Sequence, residues 1–272
     1  MPIYIVVGTA VCVLIAWGVH RYRRNQYLNK LLDSPLAPEH VDVLVANVPL
    51  YSRLPKDLQL VLQGCVNYFL ATKVFVGCDD FRITDEVRLT VAGNACILVL
   101  NRDKKHFPGF ETILVYPHTY VAKQVRYDGL VEIHEDSSRA GESWHRGPVV
   151  LSWADTVHGS DNPHDGHNVI LHEFAHKLDE ENTLMDGLPV LRESSHYKEW
   201  ASVLTAEYAE FINRVTHGKN DVIDEYGAVS AVEFFAVATE SFFEKSKQMK
   251  AKLPELYGQF RTFYGLDPAE WK

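Results

Sequence analysis

The segment His172-Glu173-Phe174-Ala175-His176 constrains this chain more than any other feature. Residues four apart lie on one face of an α-helix, one turn from each other. Two imidazoles so placed can bind one tetrahedral Zn²⁺, and the glutamate between them then sits beside the water on that ion. Ile170, Leu171, Phe174, Ala175 and Leu178 supply helix-compatible apolar positions, and Asp165 upstream is a candidate cap. The competing reading is an amphipathic helix whose histidines merely lie near a surface.

The chain is long enough, at 272 residues and 46% hydrophobic, to bury one large core. Its formal net charge of −9 gives no electrostatic case for nucleic-acid binding. Cys12, Cys65, Cys78 and Cys96 form no CxxC pair and read as small buried hydrophobes in a reducing compartment, neither a disulfide framework nor a metal set.

The N-terminus stands apart. Ile3 through Val19 carry no charge, Tyr4, Trp17 and Tyr22 are placed as interfacial aromatics, and His20-Arg21-Tyr22-Arg23-Arg24 ends the run. No basic stretch precedes it and no small-residue cleavage site follows, which argues against a secretory signal. Residues 1–24 are therefore expected to be a single-pass transmembrane anchor, with residues 3–19 in the bilayer. The positive-inside tendency then puts the bulk of the chain on the cytoplasmic side of the inner membrane.

Residues 25–57, punctuated by Pro35, Pro38, Pro49 and Pro55, read as a connector to a domain over 58–272. Apolar spacing predicts helices over 58–75 and from Thr84 to about Asn101. Short β-branched and aromatic runs predict strands at 112–116, 120–125, 130–134 and 149–153, and helices follow the motif at about 194–216, 229–247 and 253–264. The order is α+β, with a small mixed sheet and a metal-binding helix. Val149, Val150, Leu151, Ser152 and Trp153 are candidates for an edge strand on which an extended peptide lies, the alternative being an ordinary sheet strand.

A catalytic zinc needs a third protein ligand. The histidine that a metzincin would carry six residues beyond His176 is replaced by Asn182. Asp179, Glu233 and Glu240 remain. Asp179 lies so close on the same helix that orienting a histidine suits it better than ligation. Glu233 and Glu240 share a face of one apolar helix, where a carboxylate is costly without a metal or partner. Ser230 offers Glu233 a capping box instead, and Lys245 offers Glu240 a salt bridge. Spacing leaves the two glutamates nearly even. Tyr226, seven residues before Glu233, favours Glu233, because a phenol beside the metal can donate to a developing oxyanion.

Gly147-Pro-Val-Val-Leu-Ser-Trp153, Asp165 through Asp179, Asp186-Gly-Leu-Pro189, Ile83-Thr-Asp-Glu-Val87 and Glu233-Phe-Phe-Ala-Val237 together resemble the Mlc titration factor A family of bacterial zinc peptidases, over roughly residues 55–265. The resemblance implies a zincin-like fold and a gluzincin site similar to that of the anthrax lethal factor catalytic domain. It implies His172, His176 and Glu233 as ligands of one Zn²⁺, Glu173 as the base and Tyr226 as the oxyanion donor; Asp179 and Glu240 stay, on the reading of the residues, as ligand-orienting candidates. It also implies a peptide or protein substrate and, as a second function class, binding of a transcriptional repressor. The family's best-known members are soluble cytoplasmic proteins without such a leader.

Overall fold

The structure is a computed structural model. It describes the backbone of residues 2–102, 107–128, 131–139, 141–143, 147–219 and 222–272, and of these the side chains of all but 2–6, 120–128, 131–139, 141–143 and 160–161.

Helix α1 (Pro2–Leu32) takes in the uncharged run and continues past the arginines without a break. The expected anchor ending near residue 24 is not found as a separate element. Among the described residues, no helix is long and apolar enough to cross a membrane. Side chains 3–6, on which the expectation also rests, lie outside those described. Val7, Val11, Val13, Leu14, Ile15, Trp17 and Val19 are all exposed. The C-terminal end of α1 meets the body, where the Leu32 backbone lies over Gly64 so closely that no Cβ would fit there.

The expected connector is built into the core. Proline at the first helical position opens both α2 (Pro38–Asn47) and α3 (Pro49–Arg53), where its missing N–H costs nothing. Leu44, Val48, Leu50, Tyr51 and Leu54 from this stretch are buried. Helix α4 (Lys56–Thr72) follows, then a strand that periodicity had merged into the helix, β1 (Val74–Gly77), and α5 (Asp85–Ile97), capped by Thr84 as expected.

Strands β2 (Thr112–Tyr116), β3 (Tyr120–Asp128), β4 (Val131–Arg139), β5 (Gly141–Ser143) and β6 (Val149–Ser152) come next. Leu130, where one strand was expected to begin, lies outside the described residues. β3 and β4 pair as a separate antiparallel ribbon. The main sheet has the order β1-β2-β6-β5, with β1, β2 and β6 parallel and β5 antiparallel at one edge. All four residues of β6 are buried, the continuous apolar pattern of a strand covered on both faces.

Helices α6 (Trp153–Asp161), α7 (Val169–Asp179), α8 (Tyr197–Thr216), α9 (Ala231–Glu244), α10 (Ser246–Lys252) and α11 (Pro254–Tyr264) complete the fold. The chain is thus mostly helical around a small sheet. Every residue of α9 from Phe234 to Glu244 is buried, the mark of a helix enclosed on all sides. Phe235 packs on Trp200 and Phe260, and Phe242 on Tyr257 and Tyr264. Phe174 of α7 meets the rings of Phe69, Phe107 and Phe110 at 5.0–5.8 Å. Two large aromatic clusters therefore fix α7 and α9, the two helices that carry the candidate site. Cys65 and Cys96 are buried thiols, as expected, whereas Cys12 is exposed on α1 and Cys78 is half-buried; among the described residues none of the four is in a disulfide.

Candidate metal centre

Helix α7 is capped by Asn168, whose Oδ1 accepts from the Leu171 N–H at 3.1 Å. Asp165, the expected cap, instead accepts from the His167 N–H in the preceding turn. With the helix started at Val169, His172 and His176 fall one turn apart, ring centroids 4.8 Å from each other and planes at 85°. Helix α9 lies against α7. Ser230 caps it, accepting from the Glu233 N–H at 3.2 Å, so the serine half of the expected capping box forms. The Glu233 carboxylate is turned away to the imidazoles.

Three atoms converge there. Glu233 Oε2 lies 3.0 Å from His172 Nε2 and 3.4 Å from His176 Nε2, and the two Nε2 atoms are 3.1 Å apart. A tetrahedral ion with ligand bonds of about 2.0–2.2 Å has ligand–ligand edges of about 3.3–3.6 Å, so the triangle is close to that size. The donor chemistry asks for a cation as well. His172 Nδ1 is 2.8 Å from Glu240 Oε1, and when Nδ1–H donates to that carboxylate the neutral ring's Nε2 is a bare lone pair. That lone pair faces the Glu233 oxygen, and only a proton or a metal ion between them removes the repulsion. His172, His176 and Glu233 are the cluster that can hold a metal ion among the described residues.

The protonation balance of the metal-free cluster follows. Burial disfavours an imidazolium at His172, but its bonds to Glu233 and Glu240 and the charges of Glu240 and Glu173 outweigh it and raise its pKa well above the usual value. Burial also dominates at His176, and there it wins, lowering the pKa. Burial alone would raise the Glu233 carboxyl, yet the bonds from the two histidines pull it down.

Glu173 is buried on α7 beside His172. Tyr226 lies on a short 3-10 turn, Glu225–Ala228, rather than on a helix continuous with α9. The turn is started by Asp224, which accepts from the Tyr226 N–H at 2.8 Å. The phenol ring is 5.9 Å from that of His172 and 51% exposed, so it borders the centre from the solvent side.

Two expectations are corrected. Asp179 bonds to neither histidine: Oδ2 accepts from the Gly187 N–H at 2.8 Å, and burial pushes its carboxyl up to about 6. It pins the turn after α7, where Gly187 has φ of +77° and a Cβ would meet the Ala231 carbonyl oxygen at 2.7 Å. Glu240, the other orienting candidate, does meet a histidine, His172, and Lys245 Nζ donates to the Val222 carbonyl instead. Val149, Val150, Leu151 and Ser152 do not form an edge, since β6 is paired on one side with β2 and on the other with β5. Trp153 begins α6 and packs on Phe81. The strand at that end of the sheet is β5, a three-residue segment too short for its pattern to stand out in the sequence. Sequence reasoning also passed over Asn168, Asn94 and Glu244, which lie behind Glu240; an asparagine directly before Val169-Ile170-Leu171 was the signal for the first.

Two packed helices that bring two histidines and a glutamate together, with a further glutamate between the histidines, make a site of the metallopeptidase class. The chain belongs to the family described as glucose-regulated metallo-peptidase M90, which matches residues 19–265. Mlc titration factor A of Cronobacter sakazakii is 30% identical over 86% of this chain and 88% of its own. That of Escherichia coli O7:K1 is 31% identical over 82% and 85%. The uncharacterized protein slr2042 of Synechocystis sp. is 40% identical over 88% of both chains.

Proposed function

We propose that this protein is a zinc-dependent peptidase in which His172, His176 and Glu233 hold the ion. The observation that carries the reading is the triangle of His172 Nε2, His176 Nε2 and Glu233 Oε2, 3.0–3.4 Å on a side, with acceptor atoms facing one another. A zinc ion in that triangle supplies Lewis acidity, which polarises a peptide carbonyl and makes water a nucleophile near neutral pH. Glu173 takes the proton of the attacking water and delivers it to the leaving amine. Tyr226, open to solvent at the rim, donates its hydroxyl to the oxyanion of the tetrahedral intermediate. Glu240 accepts from His172 Nδ1–H, which sets the tautomer that leaves Nε2 free for the ion.

Metal content and peptide hydrolysis by the full chain test this. Wild type should hold one zinc and cleave a peptide library, His176→Ala should lose both properties, and Glu173→Gln should keep the metal and lose cleavage. Full zinc in His176→Ala would sink the assignment.

A second reading, binding of a repressor, draws on the relatives' name alone, Mlc titration factor A. An intact Glu173 favours catalysis, since a zinc-held scaffold needs no base there. As to location, the uncharged run Ile3–Val19 followed by Arg21, Arg23 and Arg24 supports an N-terminal membrane anchor with the peptidase domain in the cytoplasm. Exposed apolar side chains on every face of α1 from Val7 to Val19 add to that support.

A further inference from the structure

Behind the metal triangle lies a buried polar network of which the chemistry above uses only Glu240. Asn168 is its hub, 3% exposed. Its backbone N–H donates to Glu240 Oε2 at 2.5 Å, and its backbone carbonyl accepts from the His172 N–H at 2.9 Å. Its side-chain oxygen caps α7. Its Nδ2 donates to Glu244 Oε1 on α9 at 3.1 Å and to Asn94 Oδ1 on α5 at 3.2 Å. Asn94 is held in turn by its own Nδ2, which donates to the Thr90 carbonyl at 3.0 Å. Glu240, Glu244 and Asn94 are all buried.

We propose that Asn168 is a positioning residue for the metal centre. By tying the start of α7 to α9 and α5, it holds Glu240 on His172 and keeps the ligands of the two helices in register. The inference rests on the zinc reading given above. Its physical basis is that the ligands come from two separate helices, and one residue of slip along either is about 1.5 Å, enough to spoil a triangle of this size. A helix cap alone needs only the side-chain oxygen, which serine supplies equally well. The two amide N–H donors add nothing to the cap; they bridge to the neighbouring helices. Aspartate would keep the cap but lose both donors and set a third carboxylate beside Glu240 and Glu244. Unpaired polar groups are costly in so buried a network, so loss of one member loosens the others.

Zinc affinity of the full chain, by competition with a chromophoric chelator, is the measurement, with the melting temperature of the metal-free protein as a control for folding. Asn168→Ser keeps the cap and should bind zinc about 10–100-fold more weakly. Glu244→Gln retains a side-chain carbonyl for the amide and should bind as wild type does, whereas Glu244→Ala should be weakened at least about tenfold. Wild-type affinity in Asn168→Ser would reduce the residue to a cap and overturn the proposal. Should that variant not fold, Glu244→Ala decides in the same way, because it leaves cap, Glu240 and ligands in place. A wild-type protein that takes up no zinc overturns the zinc reading itself, whereas tight zinc in wild type and Asn168→Ser alike overturns only the positioning role.

Discussion

Replacing Glu244 by glutamine should make the metal-free protein less sensitive to rising pH. Glu244 ends α9 with only 3% of its surface exposed, and one of its oxygens accepts from Asn168 Nδ2. Burial pushes its carboxyl up to about 8 from an ordinary 4.5; Glu240 and Asp165 add to the shift, while the bonds from Asn168 and the Gly166 backbone oppose it. The Arg53 guanidinium is also near enough to feel its charge. The folded pKa lies above the unfolded one, so the unfolded chain releases this proton first as pH rises. The group's stabilisation is therefore complete below about 4.5 and is lost as pH climbs towards about 8. The slope for one proton is about 1.4 kcal/mol per pH unit, so wild type should lose about 3 kcal/mol between pH 5 and pH 7 that Glu244→Gln does not. Urea denaturation of both metal-free proteins at pH 5, 6 and 7 measures it, and the difference between them cancels the other titrating groups. A gap that stays constant with pH would mean that Glu244 is ionised in the fold, and the reasoning from burial would be wrong.

Tyr226→Phe should lower peptide turnover by about 10²–10³-fold with zinc content unchanged, as for loss of one oxyanion donor; an unchanged rate would leave the half-exposed ring as packing alone. Deleting residues 1–24 should release the protein from the membrane fraction, and in intact spheroplasts the full-length domain should resist external protease. Digestion there would reverse the orientation, and membrane retention of the truncated chain would remove the anchor.

The local elements were the readable part of this fold. Capping threonine and acids marked α5, and the apolar period marked α7, α8, α9 and α11, because those signals are carried by neighbouring residues. Four-residue β1 and three-residue β5 were missed, being too short to show a period. The strand at 149–152 was recognised, but its place in the sheet was not, because pairing on both sides is a property of distant segments. The prolines of residues 25–57 show a related limit: those that interrupt one long helix also start short ones, and whether those dock on a core depends on what lies opposite.

By itself the sequence determined that His172 and His176 would share one helical face with Glu173 between them, since helix geometry fixes the relation of residues four apart. It also narrowed the third group of the candidate site to Asp179, Glu233 and Glu240, with the spacing of Tyr226 favouring Glu233. Only the tertiary structure shows what each of them meets, setting Glu233 against both Nε2 atoms and Glu240 against Nδ1 of His172, while Asp179 turns away to Gly187. Spacing does not carry those contacts, because they depend on how far α9 is rotated and slid along α7. That setting is fixed by the packing of phenylalanines and by a buried asparagine that joins three helices.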